Sequence, residues 1–291
     1  MNFLQQLFNG IHVGSIYALI ALGYTMVYGI VKLINFAHGD ILMIGSYFAL
    51  IAISMLGLPF WMVIIISMLV CAMIGIMIDQ IAYKPLRDAP RISALITSLG
   101  MSLFLENLFA AIYKPQSRKF PSLIKGRLEI GDLHIKNITI VTIIIAIICM
   151  ILLEFIVSKT KTGKAMRAVS EDKPAARLMG INVNRIIAIT FAIGTALGAI
   201  GGILYSSGIA LQINPLMGVT PGLKAFIAAV LGGIGIIPGA MLGGFAIGLV
   251  ESLTKAYISS AWSDGVVYGI LIIVLLFKPS GILGKNVKEK V

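Results

Sequence analysis

"GSIYALIALGYTMVYGIV" (14–31) and "ILMIGSY" (41–47) are apolar runs, and "KLINFAHGD" (32–40) breaks in between them. The break holds Lys32, Asn35, His38 and Asp40, where both flanks read as membrane interior. A charge at mid-membrane costs about 2.5–3.5 kcal/mol on insertion scales. Two arrangements avoid most of that cost. The favoured one is an interfacial turn between two spans, with Asp40 capping a helix that starts at Ile41, because Lys32 and Asp40 together suit a wet edge. The other is an unwound segment held inside the bundle and facing a water-filled path. The two are compatible if a path begins there.

The rest of the chain has the same character. Of 291 residues, 58% are hydrophobic and 12% charged, against about 25% charged in a soluble domain. A soluble protein of this size could not hide so much apolar surface. A membrane helix needs about 20 mostly apolar residues. The candidate stretches are 8–31, 36–57, 60–83, 92–113, 138–157, 186–206, 223–243, 240–258 and 265–277. The two after 222 overlap, because "AVLGGIGIIPGAMLGGFAIGL" is apolar throughout. The expectation is an all-α polytopic membrane protein with eight or nine crossings and broken or re-entrant segments, forming one domain over 1–291. "MNFLQQLFNG" lacks a basic n-region, and no small-residue cleavage site follows it, so the first apolar run reads as a retained helix.

The net charge of +11 would point to nucleic acid in a soluble protein. Here the basic residues collect in loops, where they set orientation, and no nucleic-acid partner is expected. The intervals 84–91 and 159–185 and the tail from 278 hold fourteen lysines and arginines, against six in 114–137. The first three are assigned to the cytoplasm, which puts the N-terminus outside.

Chemistry is sparse. His12, His38 and His134 have no second ligand at helical spacing, so no metal site is expected. No nucleophile–base constellation surrounds His38, so no enzyme is read here. Cys71 and Cys149 sit in separate apolar runs and read as buried thiols. A Walker A loop is missing: Gly163-Lys164 and Gly284-Lys285 have Ser158 and Pro279 where the first glycine belongs. No cofactor is expected. Glu106 ("SLFLENLFAAIY") and Glu251 ("FAIGLVESLTKAYI") are carboxylates inside apolar runs, which are functional candidates by default. For Glu251 the plainer alternative is a local pair with Lys255 at i+4. Asp79 and Glu154 lie near span ends and need no special role. Gly194, Gly198 and Gly202, and again Gly239, Gly243 or Gly244, and Gly248, are spaced for close helix contact in lipid. A faint internal repeat links the glycine-bearing breaks at 35–45 and 232–244.

The polar interval 158–185 has the punctuation of a short helix. Pro174 suits a first turn with Asp172 or Lys173 before it, "AARLM" propagates, and Gly180 stops it. A helix along the cytoplasmic face fits this pattern. An ordinary basic loop is the plainer reading.

At this point the sequence resembles a known family. "GSIYALIALGYTMVYGIVKLINFAHGDILMIGSY" (14–47), "SEDKPAARLMGINVNRIIAITFAIGTALGAIGGILY" (170–205) and "LGGIGIIPGAMLGGFAIGLVE" (231–251) resemble LivH-type branched-chain amino acid ABC-transporter permeases over essentially the whole chain. The resemblance implies an ABC importer permease fold in the bacterial inner membrane. It implies as partners a second, LivM-like permease, two ATP-binding subunits that do the hydrolysis, and an extracytoplasmic substrate-binding protein. It also implies that Glu171 to Gly180 couples to the ATPases, with "AARLMG" resembling the A-A-x-x-x-G of the importer coupling loop. Glu171, Asp172, Ala175, Ala176 and Gly180 are then the coupling residues, although Asp172, Lys173 and Pro174 intervene between Glu171 and the alanine pair. Asn35, His38, Asp40, Glu106 and Glu251 are candidates for the translocation path or its gate. Alternatives are a permease for urea or short amides, as in close relatives of that family, and an ion-coupled secondary transporter using Glu106 and Glu251.

Overall fold

Lipid offers the backbone no hydrogen-bond partners, so apolar runs of this length fold as helices. The computed structural model describes residues 3–87, 89–131 and 133–284. Its long elements are α1 (Phe3–Val31), α2 (His38–Leu56), α3 (Phe60–Ile78), α4 (Arg91–Tyr113) and α5 (Asn137–Lys159). Two short helices follow, α6 (Lys161–Glu171) and α7 (Lys173–Leu178), and then α8 (Val183–Tyr205), α9 (Val219–Gly232), α10 (Ile237–Tyr257) and α11 (Ser263–Phe277). A π-helical turn, Asp79–Tyr83, extends α3, and another, Ser206–Ala210, extends α8. Seven described helices are long and apolar enough to cross a membrane, and α9 and α11 are shorter apolar helices.

Each expected stretch is thus helical, and the overlap after 222 resolves into α9 and α10 with a break at 233–236. The break is a backbone event that hydropathy does not register. Gly233 and Gly235 have φ of +105° and +96°, a region that favours glycine, and Pro238 lies in the first turn of α10.

α1 is the hub. It packs along α10 and also touches α8, α9 and α5. The small residues do what their spacing promised, but they divide their faces between partners. Gly244 and Gly248 of α10 lie against Ala18 and Gly14 of α1, whereas Gly239 and Gly243 lie against Gly232 and Ala228 of α9. On α8, Gly194 meets α1 at Gly23 and Val27, while Gly198 and Gly202 meet α2 at Ile41 and Leu42. Cys71 is buried and Cys149 half-buried.

The two ends of the bundle are distinct. Strand β1 (Arg118–Lys119) pairs with β4 (Gln212–Ile213), and β2 (Arg127–Ile130) pairs with β3 (Leu133–Lys136) in a hairpin. Gln5 is bonded to the His134 backbone, so the start of α1 lies at this end too. At the other end Arg87 bonds Asn184 at the start of α8, and the backbone of 282–283 bonds Leu231 and Gly232. The intervals 84–91 and 159–185 therefore share an end with the beginning of the tail, as their charge implied. Lys285, Lys288 and Lys290 lie outside the described residues.

Candidate functional site

The break at 32–40 is not an interfacial turn capped by Asp40. Only Lys32 of the candidate residues there is exposed; Asn35, His38 and Asp40 are 2%, 0% and 1% exposed. The chain leaves α1 at Val31 and climbs back into the bundle. It restarts as a helix at His38, three residues earlier than expected, where Ala37 holds the N-cap position without a side-chain bond. His38 packs beside Tyr24, with ring centroids 4.6 Å apart, in a notch that Gly23 and Gly198 leave open. Eight residues of α1 separate Gly23 from Val31, so His38 sits about 12 Å inside that end. Its ring is held by this packing and by the Ile20 backbone. The unwound-segment reading is the one the fold adopts.

The start of α9 meets the start of α2 at this depth. Gly39 of α2 lies against Gly218 and Gly222, and side chains at those positions would collide with backbone. Beside this crossing is a cavity of about 200 Å³ lined by Tyr24, Phe36, Asp40, Ser102, Glu106 and Leu223, among others. Asp40 does not cap α2: its Oδ2 accepts from Ser102 Oγ at 2.5 Å. Glu106 reaches the Asp40 carboxyl from α4. A larger cavity, about 460 Å³, lies between α2, α3 and α4, but its lining, from Ile44 and Phe48 to Met101 and Phe109, offers a ligand almost nothing polar.

Asn35 is tied to a second line of contacts. Tyr83 Oη donates to Asn35 Oδ1 at 2.8 Å and packs on Phe191 of α8. Four residues back on the same π-helical turn, Asp79 accepts both Arg87 bonds, at 2.6 and 2.7 Å. Arg87 also bonds Asn184. Polar contacts thus run from the beginning of α8 to the re-entrant segment.

Glu251 stands apart from both. Its Oε1 takes Lys224 Nζ at 2.8 Å and also Lys255, and its Oε2 takes Tyr17 Oη at 2.7 Å. Lys224 bridges on to Asp264 at 2.7 Å. The i+4 partner anticipated from sequence is real, but the buried partner is Lys224, whose side chain is 4% exposed. That lysine had a signal, a cation inside the apolar run of α9. Ser102, Tyr17 and Tyr83 had none, since hydroxyls are ordinary in membrane helices.

The interval 158–185 holds two helices in place of one. Thr160 caps α6 through Gly163, and Asp172 caps α7 by accepting from Ala175 N at 2.9 Å. Gly180, at φ +80°, ends the turn, and the Ile181 N–H reaches back to Ala176 O at 3.0 Å, a left-handed C-terminal closure. Glu171 belongs to the end of α6 rather than to α7. Ala175 is exposed, Ala176 is buried, and Leu178 and Met179 project outward at 90% and 82% exposure.

Residues 6–276 match the family described as branched-chain amino acid transport system, permease component. The chain is 43% identical to the high-affinity branched-chain amino acid transport system permease protein LivH of Escherichia coli K12, covering 100% of this chain and 98% of that one. It is also 43% identical to BraD of Pseudomonas aeruginosa, with the same coverage. It is 32% identical to a probable LivH of Methanocaldococcus jannaschii, over 94% of this chain and 90% of that one.

Proposed function

The chain belongs to the family of branched-chain amino acid transport permeases, and from that membership we propose that it is one permease half of an ATP-driven importer of branched-chain, hydrophobic amino acids in the cytoplasmic membrane. Residues 1–291 act as a single transmembrane domain. A second permease, two ATP-binding subunits and an extracytoplasmic binding protein complete the machine, and ATP hydrolysis belongs to the ATP-binding subunits.

The observation that carries this reading is α7. A helix this short is marginal in water, yet it is capped at both ends and points two large apolar side chains, Leu178 and Met179, away from the chain. A surface of that kind fits a groove on a partner. Movement of α7 by the ATPases would pass to α8, whose first turn is capped by Asn182. Asn184, Arg87, Asp79, Tyr83 and Asn35 then form a packed route to the re-entrant segment, where Asn35, His38 and Asp40 act as the gate. Alternating access follows if that segment has two positions.

The ion-coupled alternative loses one of its two carriers. Glu251 is already neutralised by lysines, so it is an anchor rather than a proton carrier.

The test is Leu178→Glu together with Met179→Glu in the full transporter. Both side chains are exposed, so folding and insertion should be unaffected. Co-purification of the ATP-binding subunits and leucine uptake should fall together. Normal association and uptake would remove α7 from the coupling role.

A further inference from the structure

Asp40 and Glu106 are 1% and 9% exposed, come from different helices and line one cavity. Among the described residues neither has a lysine, arginine or histidine within ion-pair distance. Asp40 has a hydroxyl from Ser102 and its own backbone N–H, and each has the other carboxyl. Burial of an ionised carboxylate is costly unless it is paired, and two like charges side by side need a cation or a proton between them. The same chain answers that demand at Glu251 with built-in lysines, and here supplies only uncharged donors. Apart from Tyr24, the other side chains of the lining, Phe36, Leu99, Val219 and Leu223, are apolar. A cavity of about 200 Å³ has room for a small molecule with one cationic end and an aliphatic body.

We propose that this cavity is a transit site that holds the cargo by its ammonium group, with Asp40 and Glu106 as its counter-charges and Leu99, Val219 and Leu223 against its side chain. The proposal rests on the amino-acid reading above and names the recognition chemistry inside the permease. It also assigns a division of labour. The described lining contains no lysine, arginine or histidine, so the cargo's carboxylate faces the open side of the cavity. Ser102 fixes the Asp40 rotamer and is a positioning residue.

The experiment uses the complete transporter, both permeases with their ATPases and binding protein, reconstituted in proteoliposomes. Asp40→Asn and Glu106→Gln should each lower leucine uptake about tenfold or more, the worth of a charge-assisted hydrogen bond. The variants should still insert and co-purify with the ATP-binding subunits in wild-type yield, because α7 is untouched. Loss of uptake together with loss of assembly would make the carboxylates structural and overturn the proposal, as would undiminished uptake.

A second readout does not depend on transport. With Cys71 and Cys149 replaced by alanine, Leu99→Cys should react faster with a cationic than with an anionic methanethiosulfonate, and Asp40→Asn combined with Glu106→Gln should erase that preference. Leucine and 3-methylbutylamine should protect the thiol, whereas 4-methylpentanoate, which lacks the amine, should not. Protection by the amine but not by leucine would sustain the ammonium site and refute the amino-acid cargo. An unchanged reagent preference would refute the site itself.

Discussion

Glu251 and the Asp40–Glu106 pair are both acids buried in apolar surroundings, and their environments are opposite. Glu251 is enclosed by Lys224, Lys255 and Tyr17, and Lys224 is shared with Asp264. Four helices, α1, α9, α10 and α11, are joined at that point. Asp40 and Glu106 have one hydroxyl, one backbone N–H and each other, with no cation beside them among the described residues, and open onto a cavity. Where charge is compensated from within the chain, its effect is to tie helices together. Where it is left uncompensated beside space, it is available to something that arrives. Burial and residue type do not separate the two cases; the counter-charge does.

The comparison breaks first, and most visibly, at Lys224. Lys224→Met should cost about 3–5 kcal/mol, because it removes the buried cation of the pair and leaves Glu251 only Tyr17 and the half-exposed Lys255. Thermal unfolding of the purified complex in detergent should show it. Lys224→Met combined with Glu251→Gln should recover most of the loss, since a neutral pair of similar volume carries no desolvation penalty. If the single variant is as stable as wild type, the cluster is not an anchor.

Arg87→Ala tests the same principle near the basic end. Asp79 is 1% exposed and both its oxygens face Arg87. The loss should be smaller, about 3 kcal/mol, because Lys84 stands near enough to act on the carboxylate. It should be accompanied by a fall in uptake per molecule of folded transporter, as Asn184 loses its partner too.

Much of this was legible in the chain, for reasons that individual residues make plain. Asp172, Pro174 and Gly180 carry local conformational rules, and α7 obeys them. Loop charges report which ends lie together, and the β1–β4 pairing and the Arg87–Asn184 contact agree with them. What was hidden depends on distance in sequence. Tyr17 and Glu251 are 234 residues apart, and nothing local announces that they touch. Asp40 had a sound local reading as a helix cap, which lost to Ser102, 62 residues away. The break between α9 and α10 escaped because glycine is neutral to hydropathy while its φ decides the path. Lys224 alone was readable and overlooked: a cation amid "LKAFIAAVLGG" needs an acid, and Glu251 was the acid available.

Lys255→Met refines the picture inside the cluster. Lys255 is 48% exposed, against 4% for Lys224, although both reach the same oxygen. Exposed i,i+4 pairs contribute only about 0.3–0.5 kcal/mol, so this variant should unfold close to wild type. A loss as large as that of Lys224→Met would mean that exposure is a poor guide to what holds Glu251.

The smallest loss of stability should be at Glu106, and its sign is the sharpest test of the contrast. Glu106→Gln keeps the shape and hydrogen-bonding capacity of the side chain and removes one of two adjacent ionisable carboxyls. If the pair were an internal anchor, its loss would resemble that at Lys224. With no cation to strand, removal of the charge should leave stability within about 1 kcal/mol of wild type, on the stabilising side. The same variant is expected to lose uptake. A substitution that spares the fold and removes the function is the signature of a group kept charged for a visitor, whereas matched losses of stability and uptake would return Asp40 and Glu106 to the architecture.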